Sequence, residues 1–410
     1  MKRQRIRYAD WSAAEYGAAL RCLLGGRVAR GPAPERLAAR LAAQYAPSTV
    51  YPLNFAHTGL AIALDLFRKR RPARDEVVVP DYICPSVVQT VEAAGLRAVP
   101  AAIGADLNLS VDGVRAVLGE RTLAVVAPHM FGSPAPIAAI ETLCRAAGVF
   151  LVDDAAQVVG EAAGGRLLGT FGDVGLISFA QSKAVVTGVA GSGGVLLVND
   201  PELDGEVRAA WERLPAPRGR VRALLDFVWN YQWQGWTGNS GYYFRRIGER
   251  LGWQRVAPQA ARIANLDAAI ALAQLARLPR LRSGRIACAE AYHAALPAAY
   301  GIGFPQYAPG RYLSRVMLSL PPATDLDALR ERLARAGVET RLGYQTRVCA
   351  DRPDDAATAA ARRLLGLPFS AGLDERAIRD ICNLLINTLK SVPTVPSLPI
   401  QDNETSHSAL

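Results

Sequence analysis

The chain contains 410 residues, of which 50% are hydrophobic and 20% are charged. These proportions are typical of a folded globular protein and exclude a disordered or low-complexity chain. Its 47 basic and 37 acidic side chains give a formal net charge of +10, so nucleic acid, a membrane surface and phosphorylated small molecules are the partners to consider. At this length we expect two or three domains with a large core.

The cysteines and the N-terminus give no sign of a secreted protein or a metal protein. The six cysteines are spread along the chain without a CxxC pair, so neither a disulfide framework nor a zinc site is expected. No apolar stretch of signal-peptide length follows the charged N-terminus, and no run approaches the roughly 20 apolar residues of a membrane-spanning helix. We therefore expect a cytoplasmic protein without a bound metal.

Residues 1–30 are expected to form an N-terminal arm or helix, and the first half of the chain then alternates two hydrophobic periodicities. Short runs rich in Val, Leu and Ile predict strands at 77–79, 123–127, 149–153, 174–179 and 194–198. Stretches with helical spacing predict helices at 58–68, 85–94, 111–118 and 136–146. This alternation predicts an α/β fold in which helices cover both faces of a large, mostly parallel sheet.

A second, smaller unit is predicted from the change of composition near residue 265. Two long helices rich in Ala, Leu and Arg are followed by alternating strands and helices, predicted at 266–278, 283–296, 312–320, 326–336, 338–343 and 375–389. We expect residues 31–264 to form the large domain and residues 265–390 a smaller α+β domain. The polar, proline-containing residues 391–410 are expected to form a flexible tail.

An insertion at 205–255 in the large domain has an unusual composition. It holds five of the six tryptophans, and nine arginines against four acids give it a net charge of +5. Three interpretations are open: a surface or dimer-contact insertion, a lid whose arginines bind a diphosphate, and a patch for peripheral contact with an anionic membrane. No nucleic-acid-binding motif is present, so nucleic acid is not an expected partner.

Polar side chains stand at the ends of three predicted strands, where ligands bind in a parallel α/β sheet. They are His129, Asp154, Gln157, Ser178 and Lys183. Four of them have a structural alternative. Asp154 could cap a helix, and Ser178 could be a small core residue. His129 could be a hydrogen-bonded residue at a strand end, and Lys183 could be a solvated surface lysine. Together, an acid, an amide, a hydroxyl and an amine at one edge of the sheet predict a ligand site.

Pyridoxal phosphate suits this set of groups. It needs a lysine amine for a Schiff base, a carboxylate that keeps its pyridine nitrogen protonated, and hydroxyl and backbone donors for its phosphate. A glycine-rich segment at 188–194 allows close approach to the backbone, and the helix predicted to begin near Thr58 offers its N-terminus to an anion. The lysine, once displaced, could carry the proton of a transamination.

Three motifs resemble the sugar aminotransferases of the DegT/StrS type. They are VDDAAQ at 152–157, GTFGDVG at 169–175 and ISFAQSK at 177–183, with supporting matches in order over roughly residues 20–390. The resemblance implies a fold-type-I pyridoxal phosphate enzyme that works as a homodimer. It also implies transfer of an amino group from L-glutamate to a keto-sugar, usually nucleotide-linked, in the biosynthesis of surface polysaccharides or secondary metabolites.

Individual roles follow from the resemblance. It implies that Lys183 forms the Schiff base, that Asp154 pairs with the pyridinium nitrogen, and that Gln157 lies beside the phenolic oxygen of the cofactor. It places Ser178 on the phosphate. The candidate substrate contacts are His129, Arg341 and Tyr82. Arg341 would bind a carboxylate of the amino donor.

The chain departs from the family pattern around the cofactor. The Ser-Gly-Thr phosphate turn corresponds to Phe55-Ala56-His57, which leaves Ala56 and His57 as candidate cofactor contacts. The aromatic residue that stacks on the pyridine ring corresponds to Cys84, where Tyr82 could lean in instead. These differences affect phosphate affinity and substrate range rather than the fold.

Two further departures leave alternatives open. An asparagine that reaches the phosphate of the neighbouring subunit corresponds to Ala260, and a late-strand histidine corresponds to Gly343. A relative with an altered reaction, such as a sugar dehydratase, and a non-catalytic binding or regulatory protein are the alternatives. The dehydratase branch replaces the lysine by histidine, so the presence of Lys183 favours transamination.

Overall fold

A seven-stranded sheet forms the centre of the large domain in the computed structural model, which describes residues 3–6, 9–189, 191–233, 240, 259–296, 301–305, 310–322, 324–349 and 355–391. The strands of this region are β1 (Thr49–Leu53), β2 (Glu76–Pro80), β3 (Arg97–Ala101), β4 (Thr122–Pro128), β5 (Phe150–Asp154), β6 (Ala162–Ala163), β7 (Arg166–Leu167), β8 (Val174–Ser178) and β9 (Gly194–Val198). β6 and β7 form a separate small hairpin.

The large sheet has the strand order β1-β9-β8-β5-β4-β2-β3. Four neighbouring pairs run parallel, whereas β9 runs antiparallel to both β1 and β8. The mostly parallel sheet predicted from the sequence is therefore confirmed. Every residue of β2, β4, β5, β8 and β9 is buried, which explains why these strands are continuous apolar runs in the sequence.

The two edge strands are not predicted by the sequence pattern. β1 contains Pro52 and β3 contains Pro100, and proline argues against a strand because it cannot donate a ladder hydrogen bond. Both prolines lie in the edge strands of the sheet, where a missing ladder donor is tolerated because only one neighbouring strand is present. The prolines also discourage pairing with another sheet.

Helices cover both faces of the large sheet. The large-domain helices are α1 (Ala13–Leu24), α2 (Ala33–Tyr45), α3 (Ala56–Arg70), α4 (Pro85–Ala93), α5 (Val111–Val117), α6 (Ile137–Ala147), α7 (Asp204–Glu212) and α8 (Arg220–Phe227). Side chains alternate between the faces, so Val77 and Val79 of β2 pack in the core beneath α3 and α4, and Val78 packs with Ile140 of α6.

The C-terminal elements are α9 (Asn265–Leu275), α10 (Leu278–Ala295), β10 (Met317–Ser319), α11 (Leu326–Arg335), β11 (Arg341–Leu342), α12 (Ala356–Arg363), β12 (Leu364–Gly366) and α13 (Glu375–Leu389). The strands predicted at 312–320 and 338–343 are shorter, because their common partner β12 has only three residues. α9 packs against α1 and α2 of the large domain. The domain boundary at 264/265 stays a prediction.

The described part of the Arg- and Trp-rich insertion is helical. α8 continues into a π-helix at Val228–Gln232, while Trp236 and Trp253 lie outside the described residues. Within the described part, the exposed large apolar side chains all lie on α1 and on α8 with its continuation. These residues, which we call the α1–α8 patch, are Leu20, Leu24, Val221, Leu225, Trp229 and Trp233.

A buried ion pair attaches this insertion to α9. The Nε and Nη2 groups of Arg220 donate to the two carboxylate oxygens of Asp267 at 2.7 and 3.0 Å, and both side chains are almost fully buried. This arginine is therefore engaged in the fold and unavailable to a diphosphate. In the described ranges, no helix combines the length and apolar character needed to cross a bilayer.

Candidate active site

The carboxyl ends of β4, β5 and β8 bring the predicted polar side chains to one edge of the sheet. Pro128, directly before His129, pairs with Asp154, and Asp154 pairs with Leu176 of β8. The Asp154 carboxylate is buried, and its Oδ1 accepts a hydrogen bond from the backbone N–H of Ala156 at 3.0 Å. Burial raises the pKa of Asp154, and the positive charge of Lys183 partly offsets that effect.

His129 is fully buried, and protein groups occupy both of its ring nitrogens. The backbone N–H of Ala135 donates to Nδ1 at 3.0 Å, so Nε2 carries the proton and donates it to Asp153 Oδ1 at 2.7 Å. The other oxygen of Asp153 accepts from the N–H groups of Gly169 and Phe171. This geometry favours a structural role for His129 over the predicted substrate contact.

The Gln157 side chain presents its amide nitrogen to the site. Its Oε1 accepts from the backbone N–H of Phe131 at 3.2 Å and from the Ser314 hydroxyl at 3.3 Å. Within the described part of the chain, the acceptor for Nε2 is the thioether sulfur of Met130 at 3.7 Å. A thioether is a weak acceptor, so Nε2 can donate to a stronger one, such as a phenolic oxygen.

The backbone that carries Lys183 is held by the C-terminal part of the chain. Arg285 of α10 donates from Nη1 to the Lys183 carbonyl at 3.3 Å, and its Nε pairs with Asp10 at 3.0 Å. The Tyr312 hydroxyl donates to the Ala184 carbonyl at 3.0 Å. These buried contacts fix the position from which the lysine side chain projects.

The environment of Lys183 lowers the pKa of its amine. Burial is the main effect that lowers its pKa; the Arg315 guanidinium lowers it further, whereas Cys84 and Asp154 act in the opposite direction. A lowered pKa leaves more of the lysine as free amine, which is the form that attacks a carbonyl. Lys183 also lowers the pKa of Asp154, and Asp154 raises that of Lys183, as expected for opposite charges at the same edge of the sheet.

The predicted phosphate contacts meet around Gly194. This residue pairs with Ser178 of β8 on one side and with Leu53 of β1 on the other. A Cβ at position 194 would stand 2.5 Å from the backbone nitrogen of Ala56, so glycine lets β9 approach the first residue of α3. Ser178 and the N-terminus of α3 therefore lie together, as an anion site requires.

His57 has an unused ring nitrogen at this helix end. Its Nδ1 is buried, and no described residue forms a hydrogen bond with it. Burial, together with the charge of Lys183, lowers the pKa of His57 to about 4, so the ring is neutral near pH 7. An unsatisfied buried group next to a lysine and a helix N-terminus suits an acceptor-rich anion.

Two tyrosines close the site near Cys84. The hydroxyl of Tyr82 accepts from the backbone N–H of Tyr344 at 2.8 Å, and a Cβ at Gly343 would stand 2.3 Å from that hydroxyl. The position of Tyr82 therefore requires glycine at the place where the family pattern has histidine. Tyr344 lies close enough to Cys84 for the thiol to raise its pKa, and it stacks on Phe131 with ring centroids 6.0 Å apart.

Two arginines of the C-terminal part also reach the site. Arg341 donates from Nη1 to the Ser182 hydroxyl at 2.9 Å, and Ser182 has a φ of 64°, which is uncommon for a residue other than glycine. Arg315 acts electrostatically on both Lys183 and Tyr344. Sequence reasoning missed Arg315 and Tyr344, although a charged residue inside the apolar run 312–320 was a usable signal for Arg315.

The structure thus brings most of the predicted residues together. The residues at or beside the site are Ala56, His57, Tyr82, Cys84, Asp154, Gln157, Ser178, Lys183 and Arg341. The arrangement offers an amine, a carboxylate for a protonated ring nitrogen and a helix end for a phosphate. Across the described ranges, no group of three or more His, Cys, Asp or Glu side chains could hold a metal ion.

A large, mostly parallel α/β sheet with a half-buried lysine and a buried carboxylate at its carboxyl edge is the arrangement of the fold-type-I class of pyridoxal phosphate-dependent transferases. The profile of the DegT/DnrJ/EryC1/StrS aminotransferase family matches residues 10–386, so the chain belongs to this family. The predicted fold class, family and general activity, a pyridoxal phosphate-dependent aminotransferase, are therefore confirmed.

Two relatives and one solved structure are similar to this chain over most of their length. GDP-perosamine synthase from Vibrio cholerae is 26% identical over 326 residues, covering 76% of this chain and 79% of the relative. The dTDP-3-amino-3,4,6-trideoxy-alpha-D-glucose transaminase of Streptomyces venezuelae is 26% identical over 388 residues, covering 91% and 92%. The solved structure of the aminotransferase TlmJ from Streptoalloteichus hindustanus superposes with a TM-score of 0.75 at 26% identity, covering 95% and 99%.

Proposed function

We propose that this protein transfers an amino group from L-glutamate to the keto group of a nucleotide-linked sugar, for surface polysaccharide or secondary-metabolite biosynthesis. The observation that carries the proposal is the position of Asp154 and Lys183 at one edge of the sheet: Asp154 is buried at the end of β5, which pairs with β8, and β8 leads into Lys183. The relatives support the substrate class, since they are named for GDP-linked and dTDP-linked sugars.

The residues present fit pyridoxal phosphate as the cofactor. Lys183 would hold it covalently through Nζ, Asp154 would accept a hydrogen bond from its pyridine nitrogen, and Gln157 Nε2 would donate to its phenolic oxygen. The unpartnered Nδ1 of His57 and the N-terminus of α3 would bind its phosphate. When bound, the cofactor supplies an electron sink for the carbon that bears the amino group.

The chain's own groups would carry the remaining chemistry. After the incoming amine displaces Lys183, its neutral Nζ can take the proton from the substrate carbon and return it at the other end of the transfer. The Asp154 carboxylate stays ionised when a positive charge lies beside it, which offsets the cost of its burial. The aromatic side chains of Tyr82, Phe131 and Tyr344 keep water from the reacting atoms.

Two alternatives from the sequence are less well supported. A non-catalytic scaffold gains nothing from a half-buried lysine whose pKa is lowered by burial, or from a buried imidazole nitrogen without a hydrogen-bond partner, since both cost free energy in the folded state. A sugar dehydratase removes a hydroxyl from the sugar and uses no amino donor. The dehydratase branch has histidine in place of the lysine, whereas this chain has Lys183, whose amine suits transamination.

The test of the proposal is a half-reaction without any sugar. Protein loaded with pyridoxal phosphate should convert L-glutamate into an amount of 2-oxoglutarate close to the amount of bound cofactor, and then stop. Addition of a nucleoside diphosphate keto-sugar should restart production of 2-oxoglutarate. Failure to form 2-oxoglutarate would contradict the assigned donor, and comparison with L-glutamine and L-aspartate would identify another one.

The unusual phosphate turn gives a prediction for cofactor affinity. Replacing His57 by alanine removes one hydrogen bond to a charged phosphate, a contribution of about 1.5–3 kcal/mol. The dissociation constant of pyridoxal phosphate should therefore rise about 10- to 100-fold, and His57→Thr should restore part of the affinity. Fluorescence titration of the cofactor-free protein measures this; equal affinity of the alanine variant and the wild type would show that His57 does not contact the phosphate.

We also propose that the α1–α8 patch is the contact between two copies of the chain. Apolar side chains spaced four residues apart line both helices, at Leu20 and Leu24 and at Val221, Leu225 and Trp229. The two helices lie side by side, because Ala19 and Cys22 of α1 and Leu224 of α8 belong to one apolar cluster. Exposed apolar side chains on neighbouring helices are typical of an interaction site. Arg220 is buried in its pair with Asp267, which supports a rigid contact face better than a mobile lid.

The double variant Leu24→Glu/Leu225→Glu should therefore shift the protein from dimer to monomer, because it places carboxylates in the centre of an apolar contact. Size-exclusion chromatography with light scattering measures the mass, and Ala39→Glu on the exposed surface of α2 is the matched control. A wild-type monomer that binds vesicles containing anionic lipid would instead assign the patch to a membrane surface.

A further inference from the structure

A small cleft beside Lys183 has a positively charged lining. Two arginines and two serines contribute its polar groups, and the rest is backbone or apolar. Its lining residues are Ile6, Ser182, Ser314, Arg315, Arg341, Gly366, Leu367 and Phe369. None of these described residues carries a carboxylate, so the cleft is built for an anion rather than a cation.

Arg315 is the unusual member of this lining. It is half-buried on the segment before β10, with its guanidinium 5.8 Å from the ring centroid of Phe131. Its Nε is buried, and in the described part of the chain it has no hydrogen-bond acceptor. A buried donor without an acceptor is costly, and an anion that enters the cleft supplies the missing acceptor.

Arg341 is the second arginine of the lining, and its side chain is held in place. Its strand β11 pairs with β12 so that Arg341 lies opposite Gly366, and a Cβ at Gly366 would stand 2.7 Å from Arg341 Cγ. Glycine thus makes room for the arginine stem. The hydrogen bond from Nη1 to Ser182 then fixes the guanidinium at the residue that precedes Lys183.

The size and position of the cleft identify the anion. A free volume of ≈ 20 Å³ holds about one small polar group, since a single water needs about 10–15 Å³, and a diphosphate is too large for it. The carboxylate of an amino acid is bonded directly to the carbon that reacts beside Lys183. The diphosphate of a nucleotide sugar is separated from the keto carbon by ring atoms.

We propose that Arg315 binds the α-carboxylate of the amino donor in the cleft that it lines together with Arg341. The inference rests on the proposed aminotransferase function and adds a substrate-binding residue to it. A planar guanidinium forms two parallel hydrogen bonds with a carboxylate, so Arg315 orients the donor's reacting carbon toward Lys183. The unpartnered Nε of Arg315 gains its acceptor in the same step.

The experiment uses protein loaded with pyridoxal phosphate and glutarate, a dicarboxylate that cannot transaminate. Calorimetric titration of Arg315→Gln should give a dissociation constant for glutarate about 10- to 100-fold above that of the wild type, the loss expected for charge-assisted hydrogen bonds. Arg315→Lys should lie between the two, because it keeps the charge but loses the two-pronged geometry. The control is Arg311→Gln, whose guanidinium donates to the Ala162 carbonyl at 3.2 Å and which should bind glutarate like the wild type.

Inorganic diphosphate in the same titrations distinguishes the other source of an anion. Loss of diphosphate binding in Arg315→Gln with glutarate binding unchanged would overturn the proposal and assign Arg315 to the sugar acceptor. Unchanged affinity for glutarate in both Arg315 variants, or no glutarate binding by the wild type, would also overturn it. Covalent attachment of the cofactor at Lys183 is measured separately by mass spectrometry. Absence of that attachment would contradict the proposed function, whereas the glutarate affinity tests only the role of Arg315.

Discussion

Replacing Lys183 by alanine is expected to abolish transamination and to leave no cofactor covalently attached. The variant loses both the amine that would hold the cofactor and the group that would move the proton, and loss of acid–base catalysis alone costs about 100- to 10,000-fold in rate. Because burial of a lysine is unfavourable, the same variant should unfold at an equal or higher temperature. The half-reaction with L-glutamate and a thermal melt measure the two effects.

Lys183→Arg is the matched control for charge. Arginine keeps the positive charge beside Asp154 but cannot form the covalent link, since its guanidinium stays protonated. It should therefore be as inactive as the alanine variant. Activity near that of the wild type in either variant would contradict the assignment of Lys183.

Replacing Asp154 by asparagine is expected to lower kcat about 100- to 1,000-fold, the usual cost of removing one preorganised electrostatic group. Asparagine has nearly the same shape, but it cannot stabilise a protonated pyridine nitrogen. Cofactor attachment to Lys183 should persist in this variant, which separates loss of catalysis from loss of binding. Steady-state kinetics and intact mass after borohydride reduction provide the two readouts.

The neighbouring carboxylate provides a control for this prediction. Asp153 accepts hydrogen bonds from His129, Gly169 and Phe171 and is fully buried. Asp153→Asn should lower the melting temperature, because it breaks a buried polar network, with a smaller effect on kcat in the protein that remains folded. The reverse pattern, an inactive Asp153→Asn and an active Asp154→Asn, would exchange the two roles.

The buried central strands could be predicted from the sequence because parallel strands covered on both faces are unbroken apolar runs. Strand β9 is found at its predicted bounds, Gly194–Val198. The edge strands could not be predicted, because Pro52 and Pro100 argue against a strand. Proline is excluded only from central strands, and the sequence does not show which strands lie at the edge of the sheet. In the small sheet, β10 and β11 are shorter than predicted because their common partner β12 is short. The length of β12 cannot be read from the sequence around β10 or β11.

Some residues of the site could also be predicted from the sequence, and others could not. Lys183, Asp154, Gln157 and Ser178 lie in local motifs at strand ends, and the sheet register brings them together. Other contacts depend on packing between distant segments, such as the approach of Tyr344 to Cys84. The requirement for Gly343 becomes understandable only when the hydroxyl of Tyr82 is seen beside it.

The composition of the chain makes the attachment site of the cofactor easy to test. Only four of the 47 basic residues are lysines, at positions 2, 69, 183 and 390, and Lys69 is exposed in a pair with Asp65. The protein should be incubated with pyridoxal phosphate, reduced with borohydride, digested and mapped by mass spectrometry. We predict that the peptide containing Lys183 carries the cofactor; a cofactor found on another lysine, or on none, would contradict the assigned active site.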